Sequence, residues 1–549
     1  MRRIEDKLVE LPARNDFGFV SKSLWWDGAL IWLCWLSPLI LRPFQNTPFV
    51  DDWVYAWPVE WLLKHGELKV LEFSSSSNLV QALWGALFCL PTGFSFACLR
   101  FSTWTLAGLC LCGFYLLLRE LRVPRSSSFL GVATLAANPL FFSLSFTFMT
   151  DIPFLAMLVW SISATVRGLG RKSNRWLLIA AVFAALSISI RPVGIAMPVA
   201  AVLLILLQRL RGLSFPAGLW ALIVIPMIAV GLLAWWWTGH QQITADIEDF
   251  PGLPKTRLES LRYAITALPQ TSLSGLMFMA GVIGVALCPL TIASCTKAIR
   301  RPAILCFAVI VIVWAITCAA GIKFTIPLSL GSGWEWNGFN VSRELIPNNP
   351  ATRDPRGLTW LPLLAFASFA IFVASVCTRS LTQGESFLVC VGGVNFALIV
   401  ILWLFHDRYA IVLFPATIAL LLSVAPGPRL GIAWPLVGLF AIFSVIGETN
   451  VLKYNSAVWE AVTILHDLGA RDYEINGGYV VDGWLQYAHP ENAPRAKNGN
   501  IFVPGMTTSA SSLRYEISNE PQPPARVLAV IPYPQWLQAQ GALYVLQHK

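Results

Sequence analysis

Apolar residues run in stretches of about twenty through most of this chain, and polar or basic clusters separate the runs. A helix of that length crosses a hydrocarbon core of about 30 Å and satisfies its own backbone hydrogen bonds, which lipid cannot do for it. The pattern predicts about thirteen spans, at 25–42, 97–118, 127–147, 153–166, 177–190, 193–208, 217–238, 273–294, 303–322, 359–377, 386–404, 410–426 and 431–447. The stretch 79–96 is apolar too, but Gln81, Pro91 and Gly93 mark it as a helix lying in the interface. Beyond 447 the long runs stop. Asn, Gly and Pro become frequent there, and alternating stretches such as Tyr479–Val481 and Val527–Ile531 predict a small α/β domain over 448–549. The expected fold is therefore an all-α polytopic membrane protein with a small exterior C-terminal α/β domain.

Composition agrees with this reading. Of 549 residues 56% are hydrophobic and 13% charged, where a soluble domain carries roughly a quarter charged residues. The net charge of +9 is unevenly placed. Arg2, Arg3, Lys7, Arg14 and Lys22 precede the first span; Arg119, Arg122 and Arg125 follow the second; Arg167, Arg171, Lys172 and Arg175 follow the fourth. Arg209 and Arg211, then Lys297, Arg300 and Arg301, continue the series, while the alternate short loops hold few cations. The positive-inside rule then puts residues 1–24 in the cytoplasm, and it puts the segments 43–96, 239–272 and 323–358 and the C-terminal domain outside. The charge is thus a statement about orientation, and no basic and aromatic pattern argues for nucleic acid. The first 24 residues are charged and no small-residue cleavage pattern follows, so the first run is expected to stay as a span. The 11 cysteines lie in or beside apolar runs, with none after 447, so neither a disulfide framework nor a CxxC-type metal site is expected.

Candidate chemistry collects on the exterior face of this topology. Asp51 and Asp52 stand together after the first span, where carboxylates are costly and rarely kept without a task. One could act as general base on an acceptor hydroxyl, its neighbour raising its pKa towards the working range; the plainer reading is a helix cap before Trp-Val-Tyr-Ala. Asp151, in Thr150-Asp151-Ile152-Pro153, is either a third exterior acid or an ordinary helix start. A divalent cation could be shared by Asp51, Asp52 and Asp151, although no HxH or DxD spacing names one. Arg191, before Pro192, and Arg408, with Tyr409 beside it, return to the same side. An arginine fork suits phosphate oxygens, and snorkelling to headgroups or pairing with Asp407 is the alternative. Lys64, His65, Lys323 and Arg343 are weaker cationic candidates. Trp53, Trp57, Trp61, Trp334 and Trp336 could stack on a sugar, but a membrane-interface belt explains them more simply.

Together these residues resemble a family. An acidic pair after the first span, Thr-Asp-x-Pro after the third, Arg-Pro-x-Gly after the fifth, and Asp-Arg-Tyr before a late span with Pro415 are similar to polyprenyl-phosphate-dependent glycosyltransferases of the GT-C fold. Within it, the likeness over 25–447 is to bacterial proteins similar to protein O-mannosyltransferases and the lipid A aminoarabinose transferase. The resemblance implies transfer of a sugar, usually with inversion, from a polyprenyl phosphate to a lipid, glycan or protein acceptor at the outer face of the bacterial plasma membrane. It implies Asp51 or Asp52 as base, Asp151 as second acid, and Arg191 and Arg408 near the donor phosphate; Tyr409 and Lys64 are further candidates for that phosphate. The family's pair is usually Asp-Glu, and a Lys is commoner at the position of Arg191. No Walker-type or Rossmann glycine signature is present, in keeping with a donor other than a nucleotide sugar. A transporter binding a coupling cation is the rival, and it requires ionisable residues near span centres and helices broken at midplane.

Overall fold

A computed structural model of the chain describes residues 22–71, 74, 76–242, 277, 280–319, 361–401, 407–425, 427–492, 514–536 and 540–548. The expected spans begin with α1 (Lys22–Trp35), continued by a 3-10 turn to Leu41. Loop one then carries two helices, α2 (Asp52–His65) and α3 (Leu79–Cys89), before α4 (Phe96–Glu120). At 11 residues α3 is about 16 Å long, too short to cross a bilayer upright. The bundle continues with α5 (Arg125–Ala136), α6 (Pro139–Leu144), α7 (Asp151–Gly170), α8 (Asn174–Ile188), α9 (Ala196–Leu210) and α10 (Ala221–His240). It is completed by α11 (Ala280–Ser294), then α12 (Lys297–Ala319), α13 (Leu361–Cys377), α14 (Gln383–Ile401), α15 (Phe414–Val424) and α16 (Leu430–Asp467). Among the described residues six helices are long and apolar enough to cross a membrane, and shorter apolar helices occupy most of the other expected spans. The segments 323–358, nearly all of 239–272, and with them Lys323, Arg343, Trp334 and Trp336, lie outside the described residues.

Two expectations need correction. The span at 127–147 is two short helices, because Asn138 caps a new helix by accepting the N–H groups of Leu140 and Phe141 while Pro139 takes its first position. The last helix does not stop at 447. It runs unbroken for 38 residues, about 57 Å, so the boundary between bundle and C-terminal domain falls inside one continuous rod.

The core is built on α7, which lies along α4 and α8; α10 covers α8, and α14 packs on α9. Helices α4 and α7 run in the same direction, and their charges mark the two ends of the bundle. At one end Arg100 of α4 and Asp151 of α7 are buried. At the other, Glu120 pairs with Arg167 (3.4 Å) and Arg171 (3.3 Å), and Arg125 pairs with Asp27. Arg125, Arg167 and Arg171 therefore lie at the end opposite to the candidate acids.

The C-terminal domain follows α16. Apart from the short parallel pair of β1 (Val70–Leu71) and β2 (Gln241–Gln242) beside the bundle, the strands form its sheet, in the order β3-β4-β6-β5, from β3 (Ile475–Asn476), β4 (Tyr515–Ser518), β5 (Arg526–Tyr533) and β6 (Gly541–Gln547). β3 and β4 are parallel and the other pairs antiparallel. Tyr479–Val481, expected as extended, instead lies in the helical turn α17 (Tyr479–Asp482). Gly478 enters it with φ +80, and the Asp482 carboxylate accepts the Gly477 N–H (2.8 Å), so the turn is closed by its own side chain.

Candidate functional site

Pro192 confines the residue before it to an extended backbone, so α8 ends and Arg191 (φ −136, ψ 132) turns back into the bundle. Its guanidinium lies 2.9 Å from the Asp151 carboxylate, and its Nε–H donates to the Thr150 hydroxyl at 2.5 Å. Asp151 and Thr150 open α7, where Pro153 is tolerated because first-turn N–H groups lack helical partners anyway. The helix-start reading and a place in the charged cluster therefore hold together. The plane of Tyr409 connects this pair to the next. Arg191 lies 5.3 Å from the ring centre and Arg408 5.0 Å, and Arg408 also donates to the Tyr409 hydroxyl (3.1 Å).

Arg408 in turn holds Asp51, its Nη1 donating to Oδ2 at 2.8 Å. The other oxygen of Asp51 accepts the hydroxyl of Tyr479, at 3.0 Å, from the C-terminal domain. Asp51 keeps 18% of its side chain exposed, and Arg408 11%, so this pair sits at the open edge of the cluster. Burial opposes the charge on Arg408, but Asp51, Tyr409 and Asp151 outweigh it and hold the guanidinium well above its ordinary value. Arg408 is a permanent cation.

Asp52 differs from its neighbour in every respect. It is fully buried; Arg100 donates to Oδ2 through Nε (3.0 Å) and Nη2 (2.8 Å), and the Phe148 N–H donates to Oδ1 (2.7 Å). Arg100 also reaches the carbonyls of Gln45 (2.7 Å) and Thr47 (2.7 Å). Asp52 thus ties loop one, α4 and the entry to α7 into one knot. Burial pushes its carboxyl up, against the pull of Arg100 and Phe148.

Lys64 does not join the cluster. It lies twelve residues along α2 from Asp52, about 18 Å away, and pairs with Glu60 (2.7 Å) while more than half exposed. Its expected place beside the phosphate is withdrawn. The belt reading of the tryptophans fails for Trp53 and Trp57, which are buried inside the protein; Trp53 packs on Tyr479 (5.7 Å) and Tyr487 (5.6 Å). Nor do the three acids form a metal-ligand set. Each carboxylate faces its own arginine, and no group of three His, Cys, Asp or Glu side chains able to hold a metal occurs among the described residues.

Three participants carry weak sequence signals. Arg100 is hidden inside the second apolar run, and Tyr479 is more than four hundred residues from its partner. Asn78 follows a serine run, has φ +37, and buries a side-chain amide that meets no hydrogen-bond partner among the described residues. Its backbone N–H bonds the Ile190 carbonyl (3.2 Å), one residue from Arg191.

A mostly helical bundle with long apolar helices, carrying arginine and aspartate pairs at one end, defines the class: a polytopic membrane protein with a charge-paired site. Residues 78–236, which include Arg100, Asp151 and Arg191, match the model of the dolichyl-phosphate-mannose-protein mannosyltransferase family. That stretch is similar to the family that the resemblance named. No curated protein matches the chain. In structure it is similar to ArnT from Cupriavidus metallidurans in the apo state, at TM-score 0.42 and 12% identity over 96% of this chain and 98% of that one. It is also similar to archaeal oligosaccharyltransferase AglB from Archaeoglobus fulgidus in complex with an inhibitory peptide and a dolichol-phosphate (0.44, 13%, over 91% and 70%). Over 39% of its length it is similar to the S. cerevisiae protein O-mannosyltransferase Pmt1-Pmt2 complex bound to the sugar donor, of which it spans 33% (0.32, 12%).

Proposed function

We propose that the chain is a membrane glycosyltransferase that moves a sugar from a polyprenyl phosphate to a hydroxyl of a lipid, glycan or protein acceptor. Its site faces the exterior of a bacterial plasma membrane, and the N-terminus lies in the cytoplasm. The acceptor oxygen attacks the anomeric carbon from the side opposite the phosphate, so the configuration inverts. The bond from that carbon to the phosphate oxygen breaks, and the polyprenyl phosphate leaves with the electron pair. Asp51 takes the acceptor's proton, and Arg408 and Arg191 stabilise the charge that grows on the leaving phosphate.

The single observation that carries this reading is the chain of contacts Asp51, Arg408, Tyr409, Arg191, Asp151, in which residues far apart in sequence meet at one end of the bundle. Arg191 and Arg408 are each held by an acid. When a phosphate enters, Arg408 exchanges one anion for another and frees Asp51 Oδ2, so donor binding itself exposes the base. Asn78, with a buried amide to satisfy, is placed to meet a polar group of the donor. Acids at helix starts, with their own arginines, also fit this reading better than a coupling-cation site at mid-span.

The test is incubation of the purified protein with a panel of radiolabelled polyprenyl-phosphate sugars. Release or transfer of label is expected from at least one donor, with the new linkage inverted. Complete stability of every donor, with the protein folded, rejects the reading.

A further inference from the structure

The two oxygens of Asp51 are held by two different segments from far downstream in the chain. Arg408 takes Oδ2, whereas Oδ1 takes the Tyr479 hydroxyl, 428 residues downstream. The approach that makes this possible is close. A side chain at Gly483 would put its Cβ 2.5 Å from the Trp53 indole, so the segment carrying Tyr479 reaches α2 only because position 483 has none. Trp53, Tyr479 and Tyr487 then pack ring against ring beside the base. Burial and the Asp51 charge hold the Tyr479 phenol well above its ordinary value, so it remains an O–H donor throughout the working range.

We infer that Tyr479 is a positioning residue of the active centre, and that the C-terminal domain is a working part of the site it covers. The inference rests on the glycosyltransferase reading above. Tyr479 fixes the Asp51 carboxylate through Oδ1 and leaves Oδ2 as the oxygen that receives the acceptor's proton once Arg408 has turned to the donor phosphate. Among the described residues, the other charged or titratable groups around Asp51 include Asp52 and Tyr55 on α2, with Arg191, Asp151 and Tyr409 behind Arg408.

Tyr479→Phe keeps the ring against Trp53 and removes only the hydroxyl. It is expected to lower kcat about tenfold or more, the worth of a hydrogen bond to a charged group. KM for the polyprenyl-phosphate donor stays unchanged, and the acidic limb of kcat/KM moves to higher pH because the carboxylate has lost a donor. A packing role alone leaves that limb in place and overturns the inference. A double-mutant cycle gives the second reading: in an Asp51→Asn background the Tyr479→Phe step is expected to cost nothing further, and an equal additional loss overturns the inference as well. Gly483→Ala, which alters no polar group, is expected to shift the limb in the same direction even where Tyr479→Phe does not fold; a wild-type limb in that folded variant sinks the inference. Wild-type protein inert towards every donor sinks the proposed function and this inference together, whereas an active wild type with an unchanged Tyr479→Phe profile sinks the inference alone.

Discussion

Asp51 and Asp52 are adjacent, yet successive residues at a helix start point about 100° apart, and here the first faces Arg408 and Tyr479 while the second faces Arg100. The variants separate accordingly. Asp51→Asn is expected to cut transfer by about 10²–10⁴ with the fold intact, the usual worth of a general base, as a donor-turnover assay would show. Asp52→Asn leaves Arg100 buried and unmatched, a loss of about 3–5 kcal/mol, and the outcome expected is reduced thermal stability and folded yield. Equal turnover defects with equal stability in the two variants contradict this division. Arg408→Ala is expected to weaken donor binding roughly ten- to hundredfold, as titration with a labelled polyprenyl phosphate would measure. The sequence marks the acid pair but not its division, since no local pattern announces that Arg100, forty-eight positions away and inside an apolar run, claims one of the two.

Element boundaries followed local chemistry where it was strong. Gly66 with φ +73 ends α2, and Arg191-Pro192 ends α8, each from a residue type visible in the chain. The break at Asn138-Pro139 is equally local but is masked in a hydropathy window by the apolar residues on both sides. Asn138→Ala removes the cap of α6 and is expected to cost about 1 kcal/mol, read as a lowered denaturation midpoint with unchanged donor affinity. The placement of Lys64 shows the opposite limit. Asp51 and Asp52 stand at the start of α2, and that helix carries Lys64 away from them at about 1.5 Å per residue.

At the scale of the molecule, the C-terminal domain is fastened to loop one by charge as well as by rings. His489 bonds Glu60 (3.0 Å) through Nε2 and the Trp484 carbonyl (2.8 Å) through Nδ1, an arrangement that suits the doubly protonated ring. Burial opposes that charge, but Glu60 and Trp484 outweigh it and raise His489 above its ordinary 6.5; burial likewise opposes ionised Glu60, but His489 and Lys64 hold it below 4.5. The His489 contribution is complete below about pH 6.5 and fades as pH rises through its raised value. That of Glu60 is complete above about pH 4.5 and fades as pH falls through its lowered value. Docking is therefore expected to be firmest between those limits and to slacken on the alkaline side, which hydrogen exchange of residues 483–489 against pH would follow; a Glu60→Gln variant should flatten the response. None of this was legible beforehand, because the tail reads as a separate domain until its contacts with loop one are seen.

The long α16 runs from the bundle to the sheet. Its middle turns exchange hydrogen bonds with Trp536 of the C-terminal domain, and Asn455 and Trp459 hold Gln45, Thr47 and Pro48 just upstream of Asp51. A rod of that length works as a lever. A tilt of about 5° at its lipid end displaces the far end by about 5 Å, more than the reach of any hydrogen bond. Because the same rod holds loop one on one side and the C-terminal domain on the other, a lean of the whole helix carries both partners of the Asp51 and Tyr479 contact in one direction.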